Sequence, residues 1–198
     1  MIKPNNYENI QTGDFVPPEL GGHHMTIMNV HEGKTKSGKD MLIVALDFAP
    51  NDKQPGYMRK LYDGDVRPEK KWPRMGTSYI VSVDDSGECS RNFKTFITSF
   101  EDSNGCQVTW GVGPAFCQQF VGKKIGGVYG RVENEYMGER KLRTELRWFC
   151  SDAKADSQKP PKDKMLPEKP ATMAVPLPGA VTDPMSGLPQ VETSELPW

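Results

Sequence analysis

No stretch of this chain stays apolar for long. The longest such run, residues 41–46, falls far short of the roughly 20 residues that a membrane-spanning helix requires. No apolar leader behind basic residues opens the chain, which predicts a soluble, cytoplasmic protein with no membrane partner. Net charge is almost absent. Against 25 basic residues stand 26 acidic ones, so bulk charge selects no class of partner and its distribution must. Cysteine is scarce, and Cys89, Cys106, Cys117 and Cys150 form no Cys-x-x-Cys pair; they read as small buried residues in a reducing compartment. His23, His24 and His31 lie close together without a second ligand cluster, so no metal and no cofactor is expected. Nucleophile-elbow, phosphate-loop and zinc-protease motifs are missing too. The paired acids Asp63 and Asp65, and Asp84 and Asp85, sit beside Gly or Ser and read as turn residues before magnesium ligands. Catalysis is not expected.

Aromatic residues also run out, but only in one region. After Ser151 the sole aromatic is Trp198, while prolines recur at 160, 161, 167, 170, 176, 178, 184, 189 and 197. Each fixes its own backbone and removes a donor, so neither helix nor sheet propagates. This predicts a folded domain over 1–150 and a disordered, extended tail over 151–198. No basic residue follows Lys169, whereas Asp183, Glu192 and Glu195 remain. An indole beside a terminal carboxylate gains nothing from water. Glu192, Glu195, Leu196, Pro197 and Trp198 therefore read as a tip that docks into a partner's pocket.

What the first 150 residues do contain is a β pattern. Residues 25–30 and 41–48 flank a polar, Gly-bearing loop, which predicts a hairpin, with Leu42, Val44, Leu46 and Phe48 on one face. Residues 57–62 are expected as a third strand. Phe93, Phe96, Ile97 and Phe100 recur at the helical period behind Ser90 as N-cap, and a shorter helix is expected from Pro114. Residues 125–136 and 142–150 predict a closing hairpin across residues 137–140, with Gly126, Gly127 and Gly130 supplying bends. Three strands, a helix and two strands is the order of the OB-fold, a five-stranded Greek-key barrel. The expected class is mainly β with one or two helices; a β-grasp or an open sheet under a helix fits the same order.

Three segments mix cations with aromatics. Arg59, Lys60, Arg67, Lys70, Lys71 and Arg74 interleave with Tyr62 and Trp72. Cations track a phosphate backbone and aromatic faces stack on unpaired bases, although Trp72 reads equally as a core residue. In the closing hairpin Arg131, Arg140, Lys141, Arg143 and Arg147 surround Tyr129, Tyr136 and Trp148. Strict alternation turns Leu146 and Trp148 inward when Arg143 and Arg147 face out, leaving Tyr129 as the better stacking residue. The first hairpin loop adds Lys34, Lys36 and Lys39. On an OB barrel these elements are expected to converge on one face, as a site for single-stranded DNA.

The tip Glu192-Thr193-Ser194-Glu195-Leu196-Pro197-Trp198 resembles that of the bacterial and phage single-stranded DNA-binding proteins, which usually end Asp-Asp-Asp-Ile-Pro-Phe. The apolar-Pro-aromatic ending matches, and two glutamates stand where the family has an acidic run. Asn6-Tyr7-Glu8-Asn9-Ile10, Gly56-Tyr57, Lys71-Trp72-Pro73, Phe93-Lys94-Thr95-Phe96-Ile97 and Glu101-Asp102-Ser103-Asn104 are similar to the phage branch from Gram-positive hosts. The resemblance implies a non-enzymatic protein that coats single-stranded DNA during replication and recombination. It also implies that the tip recruits replication or recombination proteins and that homo-oligomers extend the footprint. The rival reading is a phage adaptor or inhibitor that binds a host protein and no DNA; it has no use for the basic residues of 59–74.

Overall fold

Alternation in the second strand sets the core. Leu42, Val44, Leu46 and Phe48 are all buried, on one face of β2 (Asp40–Phe48), which pairs antiparallel with β1 (Gly21–Lys34). The chain is seen in a computed structural model, which describes Lys3 and residues 16–167. Its other strands are β3 (Thr77–Val81), β4 (Lys124–Tyr136) and β5 (Glu139–Cys150), and its helices α1 (Tyr57–Asp63), α2 (Arg91–Asn104) and α3 (Pro114–Gln118). The protein is mainly β: one five-stranded antiparallel sheet in the order β3-β2-β1-β4-β5. The sheet does not close into a barrel, so β3 and β5 are its two edges. Among the described residues no helix is long and apolar enough to cross a membrane.

Helix α2 forms where the period places it. Ser90 Oγ accepts a hydrogen bond from the Phe93 amide, and Gly105 ends the helix in the left-handed region at φ 60°. Its buried face sets Phe96 and Phe100 against Phe120, at ring distances of 5.5 and 4.7 Å, and Phe96 against Phe149 at 5.1 Å. Burying each such ring contributes about 1.5–3 kcal/mol.

The expected third strand is instead α1. Asp47 decides this: its buried carboxylate accepts hydrogen bonds from the amides of Met58 (2.8 Å) and Arg59 (3.4 Å), capping the helix from a neighbouring strand. Gly56, at φ 66°, supplies the turn that precedes it. The true third strand, β3, follows later and is short, with Ile80 as its one fully inward residue. The closing hairpin turns tightly, on Met137 and Gly138, both at positive φ, so β5 begins at Glu139 rather than at 142.

β5 carries a further correction. Val128 pairs with Trp148 but Tyr129 pairs with Leu146, so Arg147 is an extra residue, a β-bulge. Past the bulge the faces exchange. Phe149 enters the core at 7% exposure and Trp148, expected inside, stands 39% exposed.

The composition change at Ser151 is not the end of the body, which runs through Leu166. A strap of residues 151–166 opens with a 3-10 turn (Asp152–Ser157) lying against β1, β4 and α2. It then adds to β4 in parallel: Glu133 N–H donates to Lys164 O at 2.8 Å and Lys164 N–H to Arg131 O at 3.0 Å. Two glycines make room for it. A β-carbon at Gly22 would lie 1.8 Å from the Ala155 carbonyl oxygen, and one at Gly130 would lie 2.3 Å from Pro161 Cγ. Gly130 thus serves close packing. His24 clamps the strap, its Nδ1 2.7 Å from Asp152 and its Nε2 3.2 Å from Asp156. Residues 168–198, with the expected disordered tail and the tip Glu192, Glu195, Leu196, Pro197 and Trp198, lie outside the described residues.

The buried His23 and Asp52 bond each other. His23 also stacks on Phe48 at 4.2 Å and bonds the Glu19 carbonyl. Burial pushes the Asp52 carboxyl up, but bonds from His23, Gln54 and His24 outweigh it and hold the pKa below the ordinary value. No three His, Cys, Asp or Glu among the described residues are grouped to hold a metal ion.

Candidate nucleic-acid interface

The two edge strands face each other across a groove of about 1160 Å³. β3 lines it from Thr77 to Ile80 and β5 from Leu142 to Phe149; Arg74, just before β3, and Asn92 and Thr95 of α2 complete the walls. Three large apolar side chains open to solvent here: Tyr79 at 62% exposure, Leu142 at 44% and Trp148 at 39%. Four guanidinium groups surround them, from Arg74, Arg131, Arg143 and Arg147, with Glu145 as the carboxylate among them. An aromatic face next to cations is what an unpaired base and its phosphate require.

The arginines are positioned but not spent. Arg74 lies 3.6 Å from Glu145 and Arg131 lies 3.2 Å from Asp163 of the strap. Arg147 donates to the Arg131 carbonyl at 3.3 Å and to the Lys162 carbonyl at 3.4 Å. Arg143 is exposed and makes no ion pair among the described residues. Exposed pairs of this kind contribute about 0–1 kcal/mol, so an incoming phosphate can exchange for them.

Tyr129, expected as the better stacking residue, is wholly buried. Its hydroxyl donates to the Met75 carbonyl at 2.9 Å, its ring stands edge-on to His23 and Phe48, and burial pushes the phenol far up in pKa. Tyr129 and Arg131 do share a strand parity. The core ends between them, so one is inside and the other in water.

The 59–74 segment mostly satisfies itself. Arg59 lies over the Trp72 ring at 5.9 Å, Lys70 over Tyr62 at 5.7 Å, and the two rings are 5.5 Å apart. Trp72 packs on the core and donates its indole N–H to the Leu46 carbonyl at 3.0 Å. Arg67 grips Asp65, whose carboxyl is held down to about 2 by those hydrogen bonds. Lys60 and Lys71 are exposed, and of the whole segment Arg74 alone lines the groove.

The other cations stand elsewhere. Lys34 pairs with Asp40 at 2.7 Å and Lys39 with Asp85 at 2.6 Å, while Lys36 is exposed in the same loop. At the far hairpin tip Arg140 lies near Glu133 and Glu135, Lys141 pairs with Glu139, and Tyr136 is 68% exposed. The structure therefore gathers Arg74, Arg131, Arg143 and Arg147 and adds Tyr79 and Trp148, neither of which sequence reasoning chose. Tyr79 left a faint signal, as the outward residue of Thr-Ser-Tyr-Ile-Val. Trp148 was concealed by the bulge.

Fold and groove together define a small antiparallel β domain with a cationic, aromatic-bearing cleft between its sheet edges. No protein-family model matches the chain, and no curated protein matches it.

Proposed function

We propose that this is a non-enzymatic, single-stranded DNA-binding protein of OB type, which coats unpaired strands in replication and recombination and recruits partners through its tip. One observation carries the reading: Tyr79 and Trp148 open into the same groove as Arg74, Arg143 and Arg147. The strand order supports it as well. Bringing β3 onto β5 would turn this open sheet into a five-stranded Greek-key barrel, and OB barrels are themselves partly open. Stacking on an aromatic is worth about 1–3 kcal/mol per base and tolerates any sequence, because every base has a π-face. A duplex keeps its bases stacked on one another and offers none of that gain. A single module covers roughly 4–16 nucleotides, so homo-oligomers would extend the footprint.

The test is a competition titration of the full chain with oligo-dT and a duplex, repeated across salt concentrations. The single strand is expected to win, and log affinity to fall linearly with log salt as phosphate neutralisation releases counterions. Equal affinity for duplex, or indifference to salt, overturns the reading. The rival, an adaptor without DNA binding, draws on the same edges: β3 and β5 also offer a template for an extended peptide. Charge reversal at Arg143 and Arg147 separates the two, since it would abolish DNA binding and leave backbone pairing intact.

A further inference from the structure

A second cleft, of about 430 Å³, opens where the β1–β2 hairpin meets α2 and the loop before α3. Met41, Leu42, Phe93, Trp110, Val112 and Phe116 supply its apolar walls. Trp110 is 66% exposed, yet it is held in place. Its ring lies 6.2 Å from Phe93 and 6.2 Å from Phe116, at 20° to the latter. Gln119 fixes the loop, accepting from the Thr109 amide at 2.9 Å and donating to the Thr109 carbonyl at 3.0 Å. A fixed indole with one side packed and the rest open is placed to receive a flat ring.

The cleft and the groove share no lining residue but adjoin along the chain just after β3 and at the start of α2. Ile80 of β3 lines the groove and Ser82, two residues on, lines the cleft. Near the start of α2, Asn92 and Thr95 face the groove while Phe93 faces the cleft. The carboxylates here are already engaged: Glu32 accepts from the Gly113 amide at 2.9 Å, and Asp40 holds Lys34 at 2.7 Å. Lys36 in the hairpin loop and Arg91 at the start of α2 are exposed cations on the same elements.

We propose that Trp110 is a second base-stacking platform, and that an unpaired strand leaving the β3–β5 groove crosses the first turn of α2 into the Trp110 cleft. This rests on the groove being a single-stranded DNA site, and it sets a length dependence. A short strand fills the groove; a longer one also reaches Trp110.

The experiment labels the four tryptophans of the full chain with fluorotryptophan and assigns their fluorine resonances by single Trp→Phe changes. Oligo-dT of about 4 and about 16 nucleotides, the two ends of the range for one module, is then titrated in. The short oligomer should move the Trp148 resonance alone, and the long one those of Trp148 and Trp110. Trp110→Ala should weaken the long oligomer roughly 5- to 150-fold, the equivalent of one lost stack, and leave the short one unchanged. If the long oligomer moves Trp148 but not Trp110, or binds the Trp110→Ala chain undiminished, the second platform is overturned and the groove reading stands. If neither oligomer binds, both fall together.

Discussion

Two tyrosines show how little a residue's type says about its task. Tyr79 is two-thirds in water on an edge strand, while Tyr129 is sealed in the core with its hydroxyl spent on the Met75 carbonyl. Their substitutions should separate binding from stability. Tyr79→Ala is expected to cost about 1–3 kcal/mol of single-strand affinity while leaving the denaturant midpoint nearly in place. Tyr129→Phe should do the reverse, costing about 0.5–1.5 kcal/mol of stability by removing the hydrogen bond to the Met75 carbonyl, with affinity unchanged. Paired titrations and urea unfolding curves check both, and a binding defect in Tyr129→Phe would contradict the burial argument. At this scale the arginines of the groove were legible, because charge patterns survive in sequence. Trp148 was not. One extra residue at Arg147 reverses the facing of everything after it, and nothing in Glu-Leu-Arg-Trp-Phe announces the insertion.

Whole elements were legible in proportion to how far their own residues determine them. Helix α2 has its period and its cap within one segment, so it is read directly. Helix α1 is decided by Asp47, a residue of β2 that no local window includes. The strap is decided by gaps, at Gly22 and Gly130, into which a proline-rich segment fits. Its clamp gives a pH prediction. Burial alone would lower the His24 pKa, but the hydrogen bonds and charges of Asp152 and Asp156 overcome that and raise it above 6.5. The folded chain therefore favours the protonated ring. Its stabilisation is complete below about pH 6.5 and is lost as pH climbs through the raised folded value. The stability gap between the native chain and His24→Gln should be widest in mild acid and narrow towards alkaline pH. A gap that ignores pH would show that the clamp carries no charge.

For the molecule as a whole, near-neutral composition conceals a local concentration: four arginines gather at one groove although the chain sums to −1. The expected convergence of three basic segments holds for Arg131, Arg143 and Arg147 of the closing hairpin and for Arg74, and fails for the rest, because convergence depends on sheet order rather than on sequence distance. The proposed division of labour makes its own prediction. Removing residues 192–198 should leave single-strand affinity unchanged or raised, since competing acids are lost, and should abolish capture of replication or recombination proteins. A collapse of DNA binding would assign the tip to the DNA site instead.

The missing side chain at Gly22 has a reach that its position conceals. It admits Ala155, which seats the strap, and the strap in turn supplies the Asp163 carboxylate to Arg131 and the Lys162 carbonyl to Arg147. A single methyl group added at Gly22 would lift the near end of this lever and loosen the aim of two guanidiniums at its far end. Mutational tolerance in this protein should therefore follow the strap's route rather than distance from the groove.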